Sequence, residues 1–542
     1  MPDPDAKVHT GTIKSASLER GKIERDGDGK KLEFSADDWL PGPGMRFSAG
    51  LRVEFEDHPR KGWVGRVRPI GWSPAARPKP GEAAGPPASA PRNRPVALRP
   101  GEGFLNPYNF ARWLPEPGAP GAARTPLLGR APGPPHDRYV GLTGRLRCVL
   151  TTETDTFVSD SYGVTAQVKD GEEHRIYRFF RNPDGAPAIP GSSLRGAVRT
   201  VFEAATNSCF IKVHGEARHA FRNADRKKVP YGRTVGEMIP EHLHACRAVD
   251  ALCPACRTFG WVAAEAGERS ASAPAYRGRV RFSDAAFTDG SVLVQPGESW
   301  VLPALSTPKP AYVWFYLMRE SGRVEDGLEA EDGGYAPGNT IRGRKLYWHH
   351  EPREKGARTS DQNRSIRDWM GPGATAEFEV VFQNLAPVEL GALLWSLEME
   401  GEEVHRLGYG KPLGFGSVRI AVEQAEIAGP ERYSGSGAPG GWVPLPRAGL
   451  DGLKDRFRRE MALRYAGVED PGAFLELRNV RDLRKVLASE EMGAVIAYPR
   501  QSPRDKGFEW FEKNRKGPRL ALPPADSEEP GLPLRLPDKS RR

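Results

Sequence analysis

The sequence predicts an α+β protein whose central part is a split βαβ, ferredoxin-like domain, preceded by a small all-β domain and followed by a mostly helical region. Three observations carry this prediction. Short alternating apolar segments separated by polar turns run from residue 8 to about 70, as in small β-domains. Strand and helix patterns then follow in the order strand–helix–strands–helix–strand between residues 142 and 422, which is the split βαβ order. After about residue 430, apolar residues recur at helical spacing.

The small β-domain ends where the composition changes. The chain of 542 residues contains 61 Gly and 51 Pro, and 38% of its residues are hydrophobic, so we expect a sizeable part to be linker or irregular structure. Residues 73–100 consist mostly of Pro, Ala, Gly and Arg, a composition that cannot bury a core. The predicted division is a β-domain over 8–70, a linker over 71–136, the central domain over 137–428, and a helical extension with a tail over 429–542.

The elements of the central domain are predicted from apolar periodicity. Residues 192–205 and 387–399 are predicted to be helices, because their apolar residues recur every three or four positions. The predicted strands are 142–150, a segment around Phe179 and Phe180, 280–282, 311–317, 376–382 and 417–422. The interval 318–372 is charged and Gly-rich, which predicts an insertion.

Charge and hydropathy restrict the location and the partners. No apolar run approaches the roughly twenty residues of a membrane span, and residues 1–5 do not resemble a signal peptide, so we expect a cytoplasmic protein with no membrane partner. The net charge of +9 favours a polyanionic partner. Spread over the whole chain, the same charge fits a soluble enzyme with a basic face equally well.

The strongest local motif is AIPGSSLRGAVR at 188–199, in which a Pro-Gly turn leads two serines directly into the predicted helix. Free backbone N–H groups and the positive dipole end at a helix start attract anions. Together with Ser192, Ser193 and Arg195, they would form a phosphate-binding cradle. The alternative is an ordinary capped helix with an exposed arginine, which is the commoner structure for such a pattern.

A glycine-rich segment, GYGKPLGFGSV at 408–418, precedes the last predicted strand. Four glycines allow the backbone to approach a ligand closely, and Lys411 supplies a positive charge. The rings of Tyr409 and Phe415 could stack on bases. The alternative is a plain glycine-rich loop.

Three of the five cysteines lie within eleven residues with the spacing C-x6-C-x2-C, namely Cys246, Cys253 and Cys256. Such clustering favours a metal site, and thiolates two residues apart fit one face of a tetrahedral zinc site. One imidazole, from His242 or His244, would complete a closed structural site. The alternative is a set of free buried thiols. Cys148 is assigned to the core, and Cys209 is the less favoured ligand.

Taken together and in this order, these segments resemble the RAMP superfamily of CRISPR subunits. Members of that family carry an IPGSSLKG-like helix start and a C-terminal GFG loop, which the motifs at 188–199 and 408–418 match. Between them, CPACRTFG at 253–260 is similar to the family's CPxCRxFG element, and RVRFSDA at 279–285 to its GRLxFSDA strand. IRGRKLYWHH at 341–350, with the C-terminal extension, points to a long-chain branch of type III systems.

The resemblance, which spans roughly 140–425, implies a subunit of the effector backbone that grips guide RNA, contacts target RNA and packs against other effector subunits. It assigns RNA contacts to the helix start and to the glycine-rich segment. The assigned residues are Ser192, Ser193, Arg195, Arg199, Lys411, Gly414 and Phe415. Backbone subunits of this family often hold a zinc ion, in agreement with the cysteine spacing.

The N-terminal domain is similar to a cold-shock OB-fold through GTIKS at 11–15, IERDG at 23–27, FSA at 34–36 and RVEF at 52–55. Cold-shock domains present aromatic rings on which bases stack, but the segment ERGKI at 19–23 lacks the phenylalanines that the family has there. A protein-docking or degenerate OB module is therefore an alternative to single-strand binding.

Some family members cut target RNA with an aspartate between the first strand and the IPGSS helix. The matching position falls near Arg175 and Ile176, where this chain has no carboxylate. Asp160, Asp170 and His174 in the same loop are the remaining candidates, and a carboxylate there would hold a divalent cation such as magnesium. The alternative is that they are solvated loop residues.

Three hypotheses follow from the sequence. The first is an RNA-binding backbone subunit, the second a metal-dependent endoribonuclease acting on guide-paired target RNA, and the third an accessory adaptor that docks other proteins. RNA binding that weakens steeply with salt would favour the first.

Overall fold

The structure is a computed structural model, and the residues it describes are 8–16, 20–35, 51–57, 64–70, 103–117, 128–161, 163–169, 172–211, 220–222, 228–230, 232–263, 274–287, 293–295, 297–305, 309–324, 334–351, 356, 359–429, 441–488, 495–499 and 508–536. The chain divides into two compact units, Met1–Arg94 and Pro95–Arg542.

The first unit contains one antiparallel sheet. Its strands are β1 (Val8–Ala16), β2 (Arg20–Arg25), β3 (Lys31–Ser35), β4 (Arg52–Asp57) and β5 (Val64–Pro69), in the order β3-β2-β1-β4-β5. Alternate apolar residues form one buried cluster: Ile13, Ile23, Leu32, Phe34, Val53, Phe55, Val64 and Val67. A Cβ on Gly11 would lie 2.6 Å from the carbonyl oxygen of Glu24, so only glycine permits this approach of β1 to β2.

The second unit is a mixed α+β structure. Its strands are β6 (Gly103–Leu105), β7 (Tyr108–Arg112), β8 (Leu142–Thr152), β9 (Thr165–Lys169), β10 (Glu172–Tyr177), β11 (Ala188–Ile189), β12 (Ala220–Arg222), β13 (Lys228–Pro230), β14 (Trp261–Val262), β15 (Ala275–Tyr276), β16 (Val280–Phe282), β17 (Ala285–Phe287), β18 (Leu293–Val294), β19 (Trp300–Leu302), β20 (Leu317–Arg319), β21 (Asn339–Ile341), β22 (Gly343–Tyr347), β23 (Arg364–Ile366), β24 (Trp369–Met370), β25 (Thr375–Leu385), β26 (His405–Arg406), β27 (Ser417–Ala428), β28 (Trp442–Pro444), β29 (Val495–Ile496) and β30 (Leu532–Pro533).

The helices of this unit are α1 (Gly191–Ala205), α2 (Pro254–Phe259), α3 (Val313–Tyr316), α4 (Pro387–Glu398), α5 (Arg447–Ala466), α6 (Arg478–Leu487) and α7 (Glu509–Lys516). Short 3₁₀ turns occupy Gly236–Met238, Glu241–Leu243, Lys411–Leu413 and Pro471–Phe474.

A long antiparallel sheet forms the centre of the second unit, in the order β11-β17-β25-β8-β27-β26. The eleven-residue strands β8 and β25 lie side by side, with Val380 opposite Leu146, and β27 pairs with the other edge of β8. β16 also pairs with β25, and β28 with β27. α1 and α4 pack against each other and against strands of this sheet, and α5 packs on α4.

The predicted helices and most predicted strands of this region are confirmed. α1 buries the apolar stripe that its periodicity predicts, Leu194, Val198, Val201 and Phe202. α4 has proline at its first position, and the Glu389 carboxylate accepts a hydrogen bond from the Ala386 amide just before it. Nearly every side chain of α4 is buried, because the sheet, α1 and α5 surround it.

The prediction of a strand over 311–317 is wrong for most of that segment. One helical turn, α3, precedes β20, which begins at Leu317. The aromatic residues of this segment pack against rings of α7: Tyr312 lies 5.3 Å and Phe315 5.6 Å from Phe511, centroid to centroid. A run of consecutive aromatic residues satisfies strand and buried-helix patterns equally, so tertiary packing decides.

The C-terminal part of the predicted linker is also different from the prediction. Residues 103–114 are buried and include β6 and β7. β7 pairs with β22, and β6 pairs with β29 and β30 from the C-terminal region. Pairing partners hundreds of residues away are invisible to a reading of local composition. None of the helices in the described parts of the chain has the length and apolar character needed to cross a bilayer.

Candidate metal centre and anion-binding motifs

Four cysteines from three segments of the second unit converge at one buried point: Cys209, Cys246, Cys253 and Cys256. Cys209 follows α1, Cys246 follows a 3₁₀ turn, and the other two begin α2. The Cys209 sulfur lies 3.5, 3.7 and 3.8 Å from those of Cys253, Cys256 and Cys246.

These distances fit a tetrahedral metal site. Four thiolates bound to zinc at about 2.3 Å place their sulfurs about 3.8 Å apart. A disulfide would bring two sulfurs to about 2.05 Å, so the cluster is not a disulfide pair. The cysteines are therefore compatible with a closed site of four sulfurs that leaves no position for a substrate.

Crowding of the four thiols moves their pKa values in opposite directions. Burial raises the pKa of Cys253, but hydrogen bonds from the neighbouring thiols outweigh burial and hold that pKa well below its usual value. The hydrogen bonds of Cys256 with Cys209, Cys246 and Cys253 raise its pKa. A divalent cation would relieve this conflict, because it stabilises every thiolate that it binds.

Neither histidine predicted as the fourth ligand reaches the cluster. The Nε2 atom of His242 lies 2.9 Å from the carbonyl oxygen of Leu114, and that of His244 lies 2.9 Å from the carbonyl oxygen of Ile239. Cys209, the ligand that spacing disfavoured, takes the fourth position. It lies 37 residues before Cys246, and only the packing of the end of α1 against α2 brings it there.

The backbone around the cluster is held by side chains from other elements. Arg344 of β22 donates hydrogen bonds to the carbonyl oxygens of Ser208 and Cys209, and the Trp261 indole donates to that of Cys246 at 2.7 Å. Arg257 of α2 forms a buried ion pair of 2.7 Å with Glu389 of α4. Such outer contacts fix the ligands of a metal site in place.

The start of α1 is partly occupied by the protein itself. The Gly191 amide donates to the Asp284 carboxylate at 2.8 Å, and the Ser193 amide donates to the Pro190 carbonyl at 2.8 Å. A Cβ on Gly191 would collide with the Phe282 carbonyl, which explains the glycine. Ser192 is exposed, but fewer backbone amides are free to bind an anion than the motif predicts.

The two arginines of this motif lie against one ring. The guanidinium carbons of Arg195 and Arg199 are 5.7 and 5.8 Å from the centroid of Phe259, and Arg195 donates a hydrogen bond to the Phe259 carbonyl. Glu203 pairs with Arg199 at 2.6 Å. Burial, followed by the charge of Arg199, lowers the pKa of Arg195. Both arginines line an open cavity of about 550 Å³.

The glycine-rich segment is tied to the loop that follows β8. The Tyr409 amide donates to the Phe157 carbonyl, and the Gly416 amide to the Asp155 carbonyl, both at 2.9 Å. Lys411 donates to the Gly408 carbonyl at 2.9 Å.

Two further residues of this segment, Gly414 and Phe415, contribute to the fold of the segment. Gly414 has a positive φ of 97°, which favours glycine there. The Phe415 ring, one of the two predicted to stack on bases, is buried 5.3 Å from Trp300, whereas Tyr409 is exposed. Phe415 therefore packs in the core instead of facing a ligand.

The two predicted catalytic residues that the structure describes, Asp160 and His174, each have other partners. Asp160 forms an ion pair of 3.0 Å with Arg178. His174 is buried, with its ring nitrogens 2.9 Å from the Ser360 carbonyl and 2.8 Å from the Ser365 hydroxyl. Asp170 lies outside the described residues. Among the residues that the structure describes, only the four cysteines form a group of three or more metal-binding side chains.

Comparison with known proteins gives one family and two solved structures. The profile of the RAMP superfamily matches residues 125–419. A chain of a Type IV-B CRISPR complex is 15% identical with a TM-score of 0.21, over 56% of this chain and 96% of that chain. The crystal structure of Thermofilum pendens Csc2 is 13% identical with a TM-score of 0.25, over 64% of this chain and 90% of that one. No curated protein matches.

Proposed function

Because this chain belongs to the RAMP superfamily, we propose that it is a cytoplasmic RNA-binding backbone subunit of a type III CRISPR effector complex. In this role it grips guide RNA, presents target RNA for antiviral defence, and packs against other effector subunits. The order of the four family-like motifs and the long-chain segment at 341–350 support the assignment to type III.

The observation that carries the proposal is the arginine pair on α1. Arg195 and Arg199 lie one helical turn apart against the ring of Phe259, and among the described residues a single carboxylate, that of Glu203, is paired with them. The Nη2 atom of Arg199 is buried and has no hydrogen-bond partner among the described residues. A bound phosphate would offset the repulsion between the two cations and accept that missing hydrogen bond.

The strand order supports a ferredoxin-like domain within 137–428. In chain order, β8, the β16–β17 segment, β25 and β27 are the four strands of a split βαβ unit. Across the sheet they lie in the order second, third, first, fourth. Neighbouring strands in this order are antiparallel. Each of the two helices therefore connects two strands that are parallel to each other and have one other strand between them, as in a ferredoxin-like domain.

We propose that the first unit is an OB-like module over 8–70 that docks other proteins. Its strand order and the pairing of β1 with both β2 and β4 support the OB-like assignment. Its aromatic residues within the described ranges, Phe34 and Phe55, are buried. Five of its cations face carboxylates: Lys14–Glu24, Lys22–Glu33, Arg25–Asp28, Arg52–Asp26 and Arg68–Glu54. Neither feature suits single-stranded RNA.

We propose that the four cysteines hold a structural zinc ion. The sulfur separations and complete burial support zinc, which prefers four thiolates in closed sites. When bound, the ion would fix the start of α2 beside the end of α1. Because Phe259 ends α2, the metal would also position the ring on which Arg195 and Arg199 rest.

The proposal is tested by measuring the affinity of the purified chain for guide-like single-stranded RNA over a range of salt concentrations. We expect Arg195→Glu with Lys411→Glu to weaken binding at least tenfold. Two lost phosphate contacts would also reduce the slope of log affinity against log salt by about 1.4, at about 0.7 per contact on a single strand.

A matched control makes the same change in net charge at another place on the protein. Arg456 and Arg459 are exposed on α5, outside the assigned surface, and the Arg456→Glu/Arg459→Glu variant changes the net charge equally. If both double variants lose affinity to the same extent, only the overall charge matters. If the Arg195→Glu/Lys411→Glu variant binds RNA like the unmodified chain, the assigned surface is wrong.

A further inference from the structure

The strand β22 presents two different faces. Arg344 and Leu346 are buried, and Arg344 reaches the backbone of Cys209. Lys345 and Tyr347 are half-buried on the opposite face. In the pairing of β22 with β7, Tyr347 lies opposite Tyr108, so these rings share the face of Lys345. The motif at 341–350 therefore builds a surface distinct from the metal centre.

Lys345 is surrounded by tyrosine rings. Its Nζ atom lies 3.7 Å from the centroid of Tyr108, 5.3 Å from that of Tyr347 and 5.9 Å from that of Tyr316. Burial lowers the pKa of this lysine to about 8. Within the described ranges, the ammonium group makes no hydrogen bond and no ion pair, although it is a donor of three.

A second lysine, Lys411, lies near the ring of Tyr347. The Nζ atom of Lys411 is 5.9 Å from the centroid of Tyr347, so two ammonium groups lie within 6 Å of this ring. Lys411 uses one donor for the Gly408 carbonyl. Burial, followed by the nearby charge of Arg406, lowers the pKa of Lys411. A fourth tyrosine, Tyr498, lies near this group: burial, followed by the charges of Tyr347 and Tyr316, raises the pKa of Tyr498.

Two half-buried cations that face no carboxylate among the described residues are costly for the protein alone. Contact with aromatic rings offsets only part of the desolvation of a charge, whereas an apolar residue at the same place would cover the rings without desolvating a charge. An anion from outside the chain would remove this cost. The phosphate groups of RNA are suited to this place, because the unpaired bases beside them can stack on aromatic rings.

We propose that Lys345, Lys411 and Tyr347 form a binding site for unpaired nucleotides of RNA, in which the two lysines hold phosphates and the half-buried ring of Tyr347 receives a base. The ligand class rests on the proposed RNA-binding function, but the site is separate from the arginine pair on α1. Tyr108, which is buried against Lys345, and Tyr498 lie beside this site and outside residues 125–419, the part that matches the family profile. Duplex RNA does not fit, because its bases are stacked on each other.

The site is tested with two variants that preserve packing. Lys345→Met keeps the apolar stem and removes the charge, and Tyr347→Leu keeps an apolar side chain and removes the ring. With a labelled oligouridine, we expect about fivefold weaker binding for Lys345→Met, with a salt slope lower by about 0.7, and about tenfold weaker binding for Tyr347→Leu. Duplex RNA of the same length should show no difference between variants.

The control is Lys516→Met, which removes one exposed lysine of α7 and the same charge. It should bind oligouridine like the unmodified chain, and all variants should melt within a few degrees of each other. If Lys345→Met and Tyr347→Leu bind normally while Arg195→Glu alone does not, the site is wrong and the RNA-binding function stands. If the unmodified chain binds no RNA, both fail. Loss of a co-purifying protein at unchanged RNA affinity would make the surface a protein interface and overturn the inference.

Discussion

Cys209 and Cys148 are both buried cysteines of the second unit, yet their surroundings differ completely. Cys209 lies within 3.8 Å of three other sulfurs. Cys148 lies in β8, outside the group of four, and burial raises the pKa of its thiol. One is suited to hold a metal and the other to fill a core, although both are single cysteines in the sequence.

We predict that Cys209→Ala removes most of the zinc bound to the purified chain and destabilises the second unit by about 3 kcal/mol or more, because three thiolates bind zinc less tightly than four. Elemental analysis after gel filtration and thermal denaturation measure the two effects. Cys148→Ala should retain its zinc. Equal zinc in both variants would contradict the assignment of Cys209.

For individual residues, the sequence predicts which side chains can bind a metal or a ligand better than it predicts which residues those side chains contact. The C-x2-C spacing identifies Cys253 and Cys256 because two residues of one helix turn face the same ion. Local spacing favours the two histidines over Cys209, and this preference is wrong because the fourth position depends on the end of α1 reaching α2. Phe415 shows the same limit, because a ring beside glycines is equally suited to a core and to a ligand.

The tie between α2 and α4 is the clearest interaction at the scale of elements. The side chains of Arg257 and Glu389 are only 4% and 3% exposed, and they meet at 2.7 Å. Arg257 also donates to the carbonyl oxygens of Leu252 and Gly129. The helix that supplies two cysteines is thereby fixed to the helix that packs on the central sheet.

We predict that Glu389→Gln lowers the unfolding free energy by about 3 kcal/mol, because it leaves a buried guanidinium without a countercharge. It should also speed the release of zinc to a chelator, since α2 loses an anchor. The matched control is Glu173→Gln, which breaks an exposed pair of the same length, 2.7 Å, and should change stability by no more than about 0.5 kcal/mol. Similar losses in the two variants would show that burial is irrelevant here.

Elements with a strong period are predictable from the sequence, and elements whose identity depends on distant partners are not. α1 and β8 follow from apolar spacing alone. β6 and β7 lie in Pro- and Gly-rich surroundings, and their strands exist because β22, β29 and β30 pair with them. Segment 311–317 becomes a helical turn because the rings of α7 pack against it.

The division into two compact units is the main feature at the scale of the whole molecule. The metal centre, the arginine pair and the lysine–tyrosine surface all lie in the second unit. The first unit has its own apolar cluster, and within its described residues five cations face carboxylates. Each unit therefore has the means to fold by itself.

We predict that removal of residues 1–94 leaves the zinc content unchanged and the RNA affinity within about twofold of the full chain, because exposed ion pairs must break before they can contact phosphate. Binding of one labelled single-stranded RNA to the full and shortened chains measures this. A tenfold loss of affinity would instead assign RNA binding to the first unit. Co-purification of effector subunits with the full chain alone would support a docking role.

Arg112 of β7 has an ion-pair partner that the ribosome synthesises much later than Arg112 itself. Its guanidinium binds the buried carboxylate of Asp482, which follows it by 370 residues. At about 5–20 residues per second, a ribosome delivers that partner roughly 20–70 s after Arg112. The first unit can fold as soon as residue 94 has emerged, whereas β6 lacks its partners β29 and β30 until nearly the whole chain is made. Early termination therefore leaves a fragment in which β6 is unpaired and Arg112 lacks its carboxylate.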